Sequence, residues 1–422
     1  MKKLPIIFIP FLVFTNMIQA QTSPWHLYLS NNEIYCIAVE SYYVWTATNN
    51  GLAEINVKTG ESSYYTFSNS DIPTYSISQI AIDSQGTKWM VSDKGLIKFN
   101  GLNWDVYQTS DFRLNDGNFG PLALDGEDNK WFSTGAFNLN AGNLIQFNDT
   151  SSTVYNPSNS DLPACFIVSV AIDQNDDKWL GTSQGFSNNS YNLIKFDGKD
   201  WTIFDSSATG LATSFFGNIC FDKNGDVWMS AFLGLDWPSS DLIKFDGKTW
   251  TVYNNTNSGL PACYISGLAI DNNDTKWIAS TNGLIKFDGT NWENYNTSNS
   301  AIPSDQLRSI VIDGDGTKWL GTDMGLVSFI ENIETSSLEG KTQLSDIMIF
   351  PNPFKYSISV ENHSAIKISS LELYNMAGSL MKDQIVQEKN MTLHLADVPD
   401  GVYLLKLHTR EGILVMKLIK QF

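Results

Sequence analysis

Arginine and histidine are nearly missing from this sequence: three arginines (Arg113, Arg308, Arg410) and four histidines (His26, His363, His394, His408) in 422 residues. Basic charge of any kind is short, with 27 Lys+Arg against 45 Asp+Glu and a formal net charge of −18. The deficit is local. Residues 21–340 hold 16 basic and 37 acidic side chains, whereas 341–422 hold 9 and 8. Nucleic acid and anionic membrane surfaces both require a basic face, so neither is an expected partner. No His/Cys pair stands at metal-ligand spacing, which removes zinc chemistry. Helical periodicity of useful length is absent, which excludes an α-solenoid. After residue 20 no apolar run approaches the ~20 residues needed to span a bilayer, so the mature chain is expected to lack a transmembrane segment.

What is present begins with an export signal. Lys2 and Lys3 form a short basic start, residues 4–18 are mainly apolar, and Ala20 supplies a small residue for cleavage before Gln21. Residues 1–20 therefore read as a signal peptide, and no cysteine follows to make a lipoprotein.

The middle of the chain repeats itself. Ala81-Ile82-Asp83-Ser84-Gln85-Gly86-Thr87-Lys88-Trp89 recurs as Ala269-Ile270-Asp271-Asn272-Asn273-Asp274-Thr275-Lys276-Trp277 and Val311-Ile312-Asp313-Gly314-Asp315-Gly316-Thr317-Lys318-Trp319. The same register places Trp45, Trp131, Trp179 and Trp228, so seven tryptophans follow one another at 44, 42, 48, 49, 49 and 42 residues. A second line follows, as in Gly95-Leu96-Ile97-Lys98-Phe99, and then a third, as in Trp104-Asp105-Val106-Tyr107. Each unit holds four short segments of aromatic and β-branched residues, separated by Asp, Asn, Gly and Ser clusters. Four strands per unit of about 40–50 residues is the arithmetic of a propeller blade. The last unit lacks a fourth strand, and Trp25-His26-Leu27-Tyr28 has the pattern of one. The expectation is an all-β chain: a seven-bladed β-propeller over 21–332 closed by its N-terminal strand.

The line A-I-D-x-x-G-T-K-W-[LI]-G-T-x-x-G-L-I-K-F is similar to the two-component regulator propeller repeat. The resemblance covers roughly 33–330 and implies the fold and a general habit of binding. Signalling is not implied, because no kinase or DNA-binding module accompanies the repeats.

Residues 333–345 carry no repeat and read as a linker. Beyond them, short alternating segments separated by glycine turns point to a small C-terminal antiparallel β-sandwich over 346–422. Pro351-Asn352-Pro353, the turn ending at Gly378, the strand opened by Gly401-Val402-Tyr403 and the terminal Lys417-Leu418-Ile419-Lys420 occur in order. This set resembles the type A sorting domain of type IX secretion, found in Bacteroidota. The resemblance implies passage across both membranes with the type IX secretion machinery as partner. It also implies a secreted or cell-surface location, with the domain removed and the cargo released or tethered to lipopolysaccharide.

The repeats carry residues that imitate several known sites. Asp222-Lys223-Asn224-Gly225-Asp226 imitates the start of an EF-hand loop, but Leu233 occupies the position of its bidentate glutamate. Tight β-turns demand the same residues, and the turn reading is preferred. These segments also resemble the Asp-box of sialidases, one residue longer in most copies, but the two propeller arginines cannot make a carboxylate-binding triad. His26 lies in the closure strand, far from a central site, which removes Ser–His hydrolysis. The repeat tryptophans read as blade core. Cys36, Cys165, Cys220 and Cys263 read as buried free thiols, too distant from one another to bridge.

Three consecutive units carry insertions between their second and third strands, with Phe137, Phe186, Tyr191, Asp236 and Trp237 as candidate ligand-binding residues. Aromatic faces beside amides and carboxylates suit sugar rings or peptides; tolerated drift of loop length would give the same insertions. The expected function is non-catalytic binding of an extracellular glycan or protein. The alternative is a glycan-cleaving enzyme using an Asp/Glu pair, with Asp116 and Asp236 first to test. No catalytic residue, metal ligand or cofactor is assigned.

Overall fold

The computed structural model describes residues 24–115, 117–136, 141–183, 192–205, 214–233, 240–331, 347–362, 367–375, 380–386, 389–409 and 412–420. Within 24–331, seven antiparallel sheets of four strands follow one another, spanning 34–65, 77–107, 118–155, 166–205, 214–253, 265–295 and 307–329. They are numbered one to seven here. Strands lie in chain order within sheets one to six. Sheet seven takes its fourth strand from the other end of the chain: Trp25–Tyr28 pairs with Leu326–Phe329, Trp25 opposite Phe329 and Tyr28 opposite Leu326. The first strand of each sheet packs on that of the next, and Leu307–Ile312 packs back on Ile34–Glu40. The architecture is all-β and propeller-like.

Burial grades along each sheet. Second strands such as Lys88–Ser92 and Lys178–Ser183 are buried throughout, while fourth strands such as Trp104–Tyr107 are half exposed. The apolar cores therefore lie between sheets. Cys36, Trp45 and Leu52 of sheet one meet Ile77, Met90 and Phe99 of sheet two in one cluster. Ile34, Val44 and Ile55 meet Trp319 and Leu326 across the closing seam. The tightest approaches require glycine: a Cβ on Gly181 would stand 1.9 Å from the Phe216 carbonyl oxygen of the next sheet. Every first strand also carries a register shift, as between Ile34 and Cys36 or between Leu307 and Ser309. Such bulges sharpen the local twist that a narrow ring centre needs.

The carboxy-terminal unit has two antiparallel sheets. One joins Ile347–Phe350, Ser357–Asn362 and Asn390–His394; the other joins Leu380–Ile385, Ile368–Asn375, Gly401–Thr409 and Gly412–Lys420. Both contribute to a single core that includes Ile358, Val360, Leu371, Leu373, Leu393, Leu405 and Leu418.

Candidate functional site

The recurrent Asp…Lys-Trp line is structural, and its geometry explains why it recurs. In six sheets the aspartate Oδ2 accepts the indole N–H six residues on, at 3.0 Å for Asp83–Trp89 and 2.8–2.9 Å in the other five. Its Oδ1 accepts the backbone N–H groups two and four residues on, closing the first hairpin. At Asp222 this leaves a carboxylate with partners on both oxygens, which accounts for its likeness to a calcium loop. Among the described residues no cluster of metal-binding side chains occurs.

In five of the seven sheets the residue before the tryptophan is a lysine that reaches the preceding sheet. Lys88, Lys130, Lys178, Lys276 and Lys318 place Nζ 4.3–4.7 Å from the ring centres of Trp45, Trp89, Trp131, Trp228 and Trp277. In the two remaining junctions Val227 packs on Trp179 and Val44 on Trp319. Four of these ammonium groups have a carboxylate within 4 Å, as in Lys88–Glu40 and Lys130–Asp149, both at 2.6 Å, and Lys276 bonds the Asp274 carbonyl at 2.7 Å. Burial lowers the affinity of Lys318 for its proton, opposed by Glu331 and Asp271. Sequence reasoning missed this stacking, because it joins residues of different repeats.

The ring has two unlike edges. On the first-hairpin edge, the fourth turn residue is a left-handed glycine in Gly86, Gly225 and Gly316 (φ 78°, 80° and 82°) but an aspartate in Asp128, Asp176 and Asp274 (φ 62°, 66° and 62°). Each of these aspartates accepts a backbone N–H from the preceding sheet's turn: Ser84 at 3.0 Å, Gly126 at 3.3 Å and Lys223 at 3.0 Å. An unfavourable φ is thus offset by a bond between sheets.

The opposite edge gathers the second-to-third-strand turns and the connections between sheets. Gly142 N–H donates to the Cys165 carbonyl and Ser240 N–H to the Cys263 carbonyl, both at 2.7 Å, which ties the start of two third strands to these connections. Phe137, Phe186, Tyr191, Asp236, Trp237 and Asp116 all lie outside the described residues. Just beyond one insertion, Asp241 is buried, and burial raises its carboxyl affinity for a proton against a hydrogen bond from Asn254. At the closing seam Arg308 Nη2 lies 3.0 Å from Glu33 Oε2, its guanidinium 5.4 Å from the centre of the Tyr35 ring. The sequence did not single out Asp241 or this trio, since the scarcity of arginine was read only as an exclusion.

The four cysteines carry no disulfide. Burial pushes the Cys36 and Cys165 thiols up to about 12, out of the reactive range.

In the carboxy-terminal unit, Pro351 and Pro353 follow cis peptide bonds, and Asn352 Oδ1 accepts the Ile419 N–H at 2.9 Å. Phe354 N–H donates to the Ile419 carbonyl at 2.8 Å, so the P-N-P opening holds the last strand. Gly401 opens Gly401–Thr409; Tyr403, two residues on, is buried and donates to the Pro399 carbonyl. Lys417 pairs with Leu404, and Gly378 lies outside the described residues. The residue the sequence reading passed over is Lys420. Its buried ammonium donates to the carbonyls of Leu395, Ala396 and Val398 at 2.9, 3.1 and 2.5 Å, one for each of its three protons. Strand alternation carried a hint, because Lys420 shares the face of buried Leu418.

Residues 348–421 match the family described as the secretion system C-terminal sorting domain. This marks the chain for export to the cell surface or the medium through the type IX system. Among solved structures, the chain is similar to the extracellular domain of a hybrid two-component system from B. thetaiotaomicron (TM-score 0.58, 17% identity, 94% of this chain and 57% of that one). It is also similar to PorZ, a surface component of the type IX secretion system of Porphyromonas gingivalis (TM-score 0.51, 14% identity, 92% and 66%). A third is a catalytically inactive virginiamycin B lyase from Staphylococcus aureus with quinupristin (TM-score 0.53, 16% identity, 72% and 100%). These likenesses are of fold, and the chain spans 57% of the length of the first, an extracellular domain. No curated protein matches the sequence. Among the described residues no helix is long and apolar enough to cross a membrane.

Proposed function

We propose that this chain is an exported seven-bladed β-propeller, 21–332, joined by a 333–345 linker to a β-sandwich sorting domain, 346–422, and that it binds an extracellular glycan or protein without catalysis. The ligand is held on the edge bearing the inter-sheet connections, with Phe137, Phe186, Tyr191, Asp236 and Trp237 as contacts. The observation that carries this reading is the match of 348–421 to a sorting domain, which puts the cargo outside the cell. The binding edge is supported by the opposite one, whose carboxylates and lysines are occupied in holding hairpins and sheets together.

Thermal-shift screening of the full chain against glycan and peptide libraries tests the reading. A ligand stabilises by RT ln(1+[L]/Kd), about 2.7 kcal/mol at a hundredfold excess over Kd. The expected result is a shift in the wild type that Trp237→Ala reduces; no shift with any library, or one indifferent to Trp237→Ala, contradicts it. The second reading is a glycan-cleaving enzyme with Asp116 and Asp236; two lyases are among its fold relatives, neither described as acting on a glycan. Product formation from a bound glycan, lost in Asp236→Asn, would establish it.

A further inference from the structure

Four inter-sheet connections are copies of one another, and one of them differs in a way the fold does not require. Residues 65–77, 155–167, 253–265 and 295–307 have the same length and the same turn. In each, a serine N–H closes on the carbonyl four residues back: Ser70 to Thr66, Ser160 to Asn156, Ser258 to Asn254 and Ser300 to Asn296, at 2.9–3.0 Å. In each, an asparagine side chain reaches back five residues to a strand carbonyl: Asn69 to Tyr64, Asn159 to Val154, Asn257 to Val252 and Asn299 to Asn294, at 2.7–2.9 Å. The residue after the first turn position plays no part in either bond. It is Pro157, Asn255 and Thr297 in three copies and Phe67 in the fourth.

Phe67 is 61% exposed. Its ring lies flat on Tyr75, centroids 4.1 Å apart and planes 16° apart. The Phe67 N–H donates to the Tyr75 hydroxyl oxygen at 2.7 Å, and Tyr75 packs against the core between sheets one and two. In the last copy Asp305 stands where Tyr75 stands and accepts the Thr297 N–H at the same 2.7 Å. The turn therefore closes equally well without an aromatic pair. What the pair adds is one exposed apolar ring, held by stacking on Tyr75 before any ligand arrives.

Its surroundings are polar. Gly51 of the neighbouring turn lies against Tyr75, where an added Cβ would stand 3.2 Å from Tyr75 Cε1. Beside it Asn50 donates Nδ2 to Asn32 Oδ1 at 3.0 Å, and Asn49 Oδ1 accepts the Glu33 N–H at 3.2 Å. These bonds orient two exposed amides and leave Asn50 Oδ1 and Asn49 Nδ2 to spare. A peptide's apolar side chain needs a recess, and this is an exposed ring beside a turn that carries two exposed amides. A pyranose offers the complement: a patch of C–H groups for the ring and equatorial hydroxyls for the amides.

We infer that Phe67, backed by Tyr75 and with the Asn50-Gly51 turn beside that pair, is a sugar-stacking subsite for a pyranose ring of an extracellular glycan. It lies on the edge that bears the inter-sheet connections and does not depend on Trp237.

Saturation-transfer NMR on the full chain tests this with methyl β-glucopyranoside, methyl β-galactopyranoside, methyl α-mannopyranoside and methyl β-N-acetylglucosaminide as probes. The decisive variant is Phe67→Asn, because Asn255 shows that asparagine suits the same turn; an unchanged thermal midpoint verifies that it folds. Transfer to the ring C–H protons of at least one probe is expected in the wild type and in Trp237→Ala. Phe67→Asn should weaken it about tenfold or more, the loss of one aromatic face, and Phe67→Trp should preserve it. No transfer to any probe, or transfer undiminished in Phe67→Asn, overturns the subsite. Transfer lost in Trp237→Ala but intact in Phe67→Asn would also overturn it, while leaving the binding role of the inserted loops standing.

Discussion

At the scale of single residues, the recurrent aspartate is a hub with a measurable worth. Asp125 is buried, accepts the N–H groups of Glu127 and Asn129 on one oxygen, and accepts Asn129 Nδ2 and Trp131 Nε1 on the other. Burial by itself would raise the proton affinity of this carboxyl, yet the four donors hold it below the usual carboxylate range. Removing the side chain leaves a buried indole N–H and the hairpin donors without an acceptor, so Asp125→Ala should cost about 2–4 kcal/mol in urea unfolding. The pH dependence has a definite sign. The folded-state value is depressed, so the stabilisation is complete above the unfolded value and fades as pH falls through the folded one. The gap between wild type and Asp125→Ala should therefore narrow on acidification; a gap that is absent at pH 7, or widens toward acid, would contradict the role. Trp45 is the natural comparison. Its Nε1 has no partner, because its hairpin pairs Ala38 with Trp45 across one residue fewer than Ala81 with Trp89. Glu40, freed from the indole, instead takes Lys88 of the next sheet.

At the scale of elements, the last strand of the chain is clamped from two sides. Asn352 and Phe354 bond the backbone of Ile419, and Lys420 fills a ring of three carbonyls from the 395–398 turn. The opening P-N-P and the closing K-L-I-K are thus two halves of one latch, although about 65 residues of sequence separate them. Lys420→Met keeps the length and loses the three donors, leaving buried carbonyls unpaired. Its expected effect is a loss of about 2–4 kcal/mol in this unit. Native-state hydrogen exchange reads that out: 412–420 and 395–398 should lose protection together, while sheets one to seven keep theirs. Unchanged protection at 395–398 would show that the latch carries no load.

At the scale of the whole molecule, repetition made the fold legible. Seven tryptophans at near-constant spacing announced the sheets, and Trp25-His26-Leu27-Tyr28 was recognisable as a displaced fourth strand because its aromatic pattern matches Trp104-Asp105-Val106-Tyr107. Contacts between repeats were not legible. The lysine-on-tryptophan stacks and the Asp128, Asp176 and Asp274 bridges join residues 40 or more positions apart, and no period within one unit reveals them. The candidate site was only half readable. Insertions stand out against a repeat, and they drew attention to Phe137, Tyr191 and Trp237, which lie outside the described residues. Phe67 is a single substitution in a loop of unchanged length, and only the superposed copies make it conspicuous. The sorting domain was readable because its motifs occur in fixed order; Lys420 escaped because a terminal lysine ordinarily reads as solvated.

Delivery outside the cell is the claim on which every functional reading here depends. The most direct test is expression of the full chain, and of a chain ending at residue 345, in a bacterium with an active type IX system. Each is then located by immunoblotting of medium, protease-shaved intact cells and periplasm. The full chain should appear in the medium or in a protease-accessible form on intact cells, and the truncated chain should accumulate in the periplasm. Equal export of both chains, or retention of both in the periplasm, would contradict it.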